Sequence, residues 1–153
     1  MFLILIKEYK KKYQIQSYIA ETQIFDKNQT LKTLIDTGHN LTTCYDEPVI
    51  VLSHNWNEKM KDIRKISKGD RTVSYKTIQH ESVIVKGEKI TNIKVIYRET
   101  EYVNEAVIII SDVEFYGYDA IMGLNFFEHA TKSNVTKENK KKKENKYGDI
   151  IFN

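Results

Sequence analysis

Leu34-Ile35-Asp36-Thr37-Gly38 constrains the fold more than any other stretch of the chain. Two apolar residues of strand type run directly into an acid, a hydroxyl and a glycine, and the polar pair His39-Asn40 follows. This is the pattern of a buried strand opening into a tight turn. It places the Asp36 carboxylate at the rim of a core, where a loop can aim its oxygens. A glycine at 38 allows a sharp bend and a close approach by another group. The Thr37 hydroxyl can both donate and accept, and so can hold the loop.

The remaining apolar runs have strand length. Ile15–Phe25 and Thr30–Ile35 flank the polar cluster Asp26-Lys27-Asn28-Gln29 and read as a hairpin whose second arm delivers Asp36. Pro48-Val-Ile-Val-Leu52 is a short buried strand, its proline at the start where no ladder donor is lost. Trp56, Met60, Ile63 and Ile66 recur at three- and four-residue spacing, which predicts a short amphipathic helix within His54–Ile66. Lys68-Gly69-Asp70 opens a hairpin with Thr72 to Ile78 as its return arm, and Ser82–Val85 and Ile90–Tyr97 form another around Lys86-Gly87-Glu88-Lys89. Glu105–Ile110 is nearly continuous in apolar residues, as a strand buried on both faces would be. Tyr118–Glu128 reads as a short strand, a glycine and the start of a helix. With ten tyrosines and a single proline among 153 residues, the chain is expected to be all-β with one or two short helices.

Composition narrows the function classes. One cysteine, Cys44, cannot form an internal disulfide and suits a reducing, cytoplasmic setting. Four scattered histidines give no zinc-type spacing, so neither a metal nor a cofactor is expected. The net charge of +3 is mild and comes from a lysine-rich tail, which argues against a nucleic-acid partner. Met1–Ile6 is apolar but six residues long, far short of a membrane span.

Asp36-Thr37-Gly38 after an apolar pair, followed by Tyr118-Asp-Ala-Ile-Met-Gly-Leu-Asn-Phe-Phe127, resembles the two-part pattern of the retropepsin-like aspartic peptidases. In that family an apolar-apolar-Gly segment, here Ile121-Met122-Gly123, threads beside the catalytic loop and runs into a short helix. Asp36-Thr-Gly-His-Asn-Leu41, Glu47-Pro-Val-Ile-Val-Leu52 and Arg71-Thr-Val-Ser-Tyr-Lys76 are similar, more narrowly, to the peptidase domain that processes a sporulation sigma factor in spore-forming bacteria. His39 and Ser74 depart from its pattern. Its membrane domain has no counterpart in this sequence, so its substrate does not carry over. The resemblance implies a closed barrel over residues 1–130, with Asp36 catalytic and Thr37 and Gly38 as its supporting loop. A lysine-rich linker is expected over 131–146 and a C-terminal strand over 147–153. The hairpin containing Gly69, Asp70 and Tyr75 is the candidate substrate-covering flap.

Hydrolysis by this route needs two carboxylates around one water, and such a pair cannot ionise freely at both sites. The chain has one Asp-Thr-Gly. Asp119, the internal rival, lacks the Thr-Gly that would follow it. The economical solution is a two-fold homodimer with Asp36 contributed by each subunit, acting on a protein or peptide substrate. The apolar ends Met1–Ile6 and Asp149–Phe152 would then interleave at the interface, as in the family. A catalytically inactive dimerisation or protein-binding domain of the same fold is the alternative. His39 and Cys44 lie near the loop, but nothing in the sequence orients them as a nucleophile pair, and a regulatory or nucleic-acid-binding module using the lysine-rich 131–146 stretch is a second rival reading.

Overall fold

The computed structural model describes residues 18–25, 29–39, 41–59, 66, 69–76 and 79–134. Within these, eight strands and two single turns of helix are arranged in the order β1 (Ile19–Gln23), β2 (Leu31–Ile35), β3 (Val49–Leu52), α1 (Trp56–Lys59), β4 (Arg71–Lys76), β5 (Ser82–Tyr97), β6 (Thr100–Ile110), β7 (Ala120–Met122), α2 (Asn125–Glu128) and β8 (Thr131–Asn134). The fold is mostly β, and six of the strands close a barrel: β5-β1-β2-β7-β3-β6, with β6 returning to β5. β4 extends β5 outward, and β8 is added to β6.

Strand alternation separates two apolar clusters. In β3 all four side chains are buried; Ile50 and Leu52 enter one cluster, while Val49 and Val51 enter the other. β6 divides in the same way, Ala106 and Ile108 against Val107 and Ile109, and so does β7, with Ala120 and Met122 against Ile121. Period-two geometry forces this split wherever both faces of a strand are covered. β3 and β6 run parallel, register Val49↔Val107 to Leu52↔Ile110, which fits their burial on both faces. The larger cluster also receives Trp56 from α1 and Phe126 from α2. Phe126 is fully buried, so Phe126→Ala is expected to lower stability by about 3–5 kcal/mol, read from the urea midpoint.

The hairpin assigned to 15–25 and 30–35 exists as β1 and β2, paired antiparallel from Ile19↔Leu34 to Thr22↔Leu31. Two other hairpins are corrected. Residues 82–97 form one continuous strand, with Gly87 inside it opposite Arg71. A Cβ on Gly87 would lie 2.6 Å from Val107 Cγ1 and 2.8 Å from the Ile108 carbonyl oxygen. That glycine therefore admits a crossing strand and makes no turn. The real reversal into β6 is Arg98-Glu99, both left-handed with φ of 51° and 65°. Gly69 does not open a hairpin either. Its φ is +59°, and a Cβ there would sit 2.8 Å from Glu88 Cα, so it seals the base of β4 against β5. The hairpin is β4–β5, paired from Arg71↔Gly87 to Lys76↔Ser82.

Thr131–Asn134 pairs with β6 from Val103↔Thr131 to Thr100↔Asn134, so the expected linker begins no earlier than residue 135. The rest of that linker, the two terminal strands and residues 60–65 of the expected helix lie outside the described residues. No described helix is long and apolar enough to cross a membrane.

Candidate active site

β2 carries the chain directly into Asp36, and β7 lies parallel beside it, with Leu34↔Ile121 and Ile35↔Met122 in register. The ladder continues one step past the strand, where the Asp36 amide donates to the Met122 carbonyl at 2.8 Å. The turn then closes on itself. His39 N–H donates to the Asp36 carbonyl at 2.9 Å, and Gly38 N–H donates to the carboxylate Oδ1, also at 2.9 Å. Asp36 is thus 9% exposed, with one oxygen oriented by its own loop, while Thr37 and Gly38 are exposed beside it.

Gly123 fixes the height of this loop. A Cβ at that position would overlap the His39 carbonyl oxygen and come within 2.9 Å of the His39 carbonyl carbon. Only a glycine lets β7 pass this close beneath the turn. Gly38 is different from the expectation. Its φ is not left-handed, and an added Cβ would only touch Asp36 Oδ1 at 3.4 Å. Within one chain the turn itself does not demand glycine there. Asn125, at the start of α2, ties the far side of the loop through Nδ2 donating to the Leu41 carbonyl at 3.1 Å. Its Oδ1 is buried without a hydrogen-bond partner among the described residues.

His39 is fully buried, and its Nε2 lies 3.2 Å from the Val49 carbonyl. A carbonyl only accepts, so Nε2 carries the proton in this contact. Burial pushes the imidazole below its ordinary value, against smaller opposing effects of the Val49 carbonyl and the Asp36 charge. Cys44 is exposed. The two side chains thus occupy different environments, one a buried prop and the other a surface thiol. Asp119 is likewise a structural group. Its Oδ2 accepts from the Lys32 amide at 3.0 Å, and its own amide donates to the Lys32 carbonyl at 2.6 Å, four residues before Asp36 on β2.

The structure brings Asp36, Thr37, Gly38, Ile121, Met122 and Gly123 together. The candidate flap residues divide. Gly69 and Asp70 lie at the base of the β4–β5 hairpin, whereas Tyr75, opposite Val83, lies toward its tip. Burial, with a smaller contribution from the charge of Asp112, pushes the Tyr75 phenol upward.

A buried ion-pair cluster escaped the sequence reading. Glu47 Oε1 accepts from Thr43 Oγ1 at 2.8 Å and from Arg71 Nε at 2.9 Å, and Lys89 Nζ lies 3.4 Å from Oε2 and 3.2 Å from Glu105. One carboxylate therefore joins the segment after the Asp36 loop to β4 and β5. Its one sequence signal is an acid placed directly before an apolar strand. Burial pushes the Glu47 carboxyl up, but hydrogen bonds from Thr43, Arg71 and Lys89 outweigh it and leave the value lowered from 4.5. A carboxyl lowered on folding stabilises fully above its unfolded value and loses that contribution as pH falls through the folded one. Glu47→Gln is expected to melt earlier than wild type at neutral pH, with the gap narrowing below pH 4.5. Thermal midpoints across that range check it.

No protein-family model matches the chain, and no curated protein matches its sequence. Among the described residues, no three His, Cys, Asp or Glu side chains are grouped closely enough to hold a metal ion. What the site offers chemically is an oriented carboxylate on a braced loop, beside an exposed glycine and threonine.

Proposed function

We propose that the protein is a retropepsin-like aspartic endopeptidase that acts as a homodimer, Asp36 of each subunit meeting its counterpart on the two-fold axis. The observation that carries this is the Asp36 loop itself. A strand-end carboxylate is oriented by the Gly38 amide and propped by Gly123, with Thr37 and Gly38 turned outward. Because the turn does not need glycine for its own conformation, the missing side chain at 38 leaves room for another chain over the carboxylate.

In this chemistry a water sits between two carboxylates that share one proton. One takes a proton from the water as its oxygen bonds to the scissile carbonyl carbon, and the other gives its proton to the carbonyl oxygen. The tetrahedral intermediate then loses its C–N bond as a proton passes to the leaving nitrogen. Substrate would lie extended beneath the β4–β5 hairpin and pair with it through backbone hydrogen bonds. The activity proposed is limited processing of one regulator or precursor.

Sedimentation of wild type and Asp36→Asn, with each then incubated with a proteome-derived peptide library from acid to neutral pH, tests the proposal. A dimer whose cleavage vanishes in the variant is the expected result. A stable monomer that cuts nothing would overturn it in favour of a protein-binding domain.

A further inference from the structure

The β4–β5 hairpin leaves the barrel at Gly87. From Glu88 onward β5 is paired to β6, beginning with Glu88↔Ile108, whereas residues 82–87 pair with β4 alone among the described strands. The other edge of β4 meets the segment that leaves the Asp36 turn, through the bridge Thr43↔Val73. That segment is held at both ends. Leu41 is tied to α2 by the Asn125 side chain. At the other end Thr43 N–H donates to the Glu47 carbonyl at 3.2 Å and Asp46 N–H to the Thr43 carbonyl at 2.9 Å, with Asp46 left-handed at φ 63°. It forms a short strut from the Asp36 turn to the root of the hairpin.

Glu47 joins the two. Arg71, directly opposite Gly87, gives its Nε to Glu47 and its Nη1 to Asp70 at 3.2 Å, and its guanidinium lies 4.9 Å from the centre of the Tyr45 ring. Lys89 reaches the other Glu47 oxygen from the part of β5 already inside the barrel, and is held in turn by Glu105 of β6. A buried ion pair adds little stability over apolar side chains of the same volume. What it adds here is direction, since a planar guanidinium on a carboxylate fixes angle as well as distance. Resting on the peptidase reading, we propose that Glu47 and Arg71 are positioning residues for the reaction: their ion pair sets the angle of the β4–β5 hairpin to the Asp36 turn, and through it the affinity for an extended peptide. Neither touches the reacting atoms. A hairpin freed at its root must be ordered again whenever a peptide binds, so the loss falls on KM more than on kcat.

Two variants of the full chain test this. Arg71→Lys keeps the charge beside Glu47 but not the planar fork, and Glu47→Gln keeps the acceptor but not the charge. In both, KM for a cleaved peptide is expected to rise on the order of tenfold with kcat within about twofold. Amide hydrogen exchange is expected to quicken on the order of tenfold in residues 71–76 and 82–86, while β3 and β6 keep their protection. Ile50→Val, a loss of one methyl from the larger cluster, is the comparison: its melting temperature is expected to fall with KM unchanged. Unchanged hairpin exchange in both variants, or a KM that rises as much in Ile50→Val, would overturn the inference and leave the peptidase reading standing. A wild type that cleaves nothing, indistinguishable from Asp36→Asn, would overturn both.

Discussion

Gly123→Ala is expected to destabilise the chain by about 3 kcal/mol or more, because the added methyl has nowhere to go. The atoms in its way are backbone, the carbonyl carbon and oxygen of His39, and backbone cannot swing aside as a flexible side chain can. His39 is itself pinned from the other side, fully buried with Nε2 against the Val49 carbonyl. Relief therefore requires β7 and the Asp36 turn to separate, which strains the bond from the Asp36 amide to the Met122 carbonyl. Urea unfolding of Gly123→Ala beside Leu124→Ala measures this. Leu124 is 48% exposed, and its truncation is expected to fall within about 0.5 kcal/mol of wild type. Equal midpoints for the two variants would mean that the loop is not held by this crossing.

If the protein is the proposed homodimeric peptidase, Asp36→Asn is expected to leave the fold intact and to cut peptide turnover by on the order of 10³-fold or more. The fold tolerates the change because an amide oxygen accepts the Gly38 N–H as a carboxylate oxygen does. The chemistry does not tolerate it, since an amide neither takes a proton from water nor passes one to a carbonyl. In a homodimer both members of the pair are altered at once, so no half-site remains. Mixing excess variant with wild type should lower activity further, through heterodimers carrying one carboxylate. Turnover per dimer as a function of the mixing ratio checks this, and a linear decline proportional to wild type alone would argue against a shared site.

Local patterns carried a good part of the architecture. The mostly-β fold, the β1–β2 hairpin, the double burial of Val49–Leu52 and of Ala106–Ile109, and the placement of a turn at Asp36 all follow from apolar runs and breaks within a few residues. Both misplaced hairpins came from glycine. Gly69 and Gly87 look like turn residues in sequence, but each accommodates another stretch of backbone brought from elsewhere in the chain. A true turn, Arg98-Glu99, carries none of the usual asparagine or glycine signal, because the long β5–β6 ladder imposes it from both sides.

By itself, the sequence determined which segments are strands and that Asp36 stands where a buried strand ends, since period and punctuation are properties of neighbouring residues. Only the tertiary structure decided the closure of β6 onto β5, the Glu47 cluster with Arg71 and Lys89, and the crossing of Gly123 beneath the His39 carbonyl. Those depend on which segments meet in space. That choice is made by packing two apolar clusters at once, and no local pattern records it.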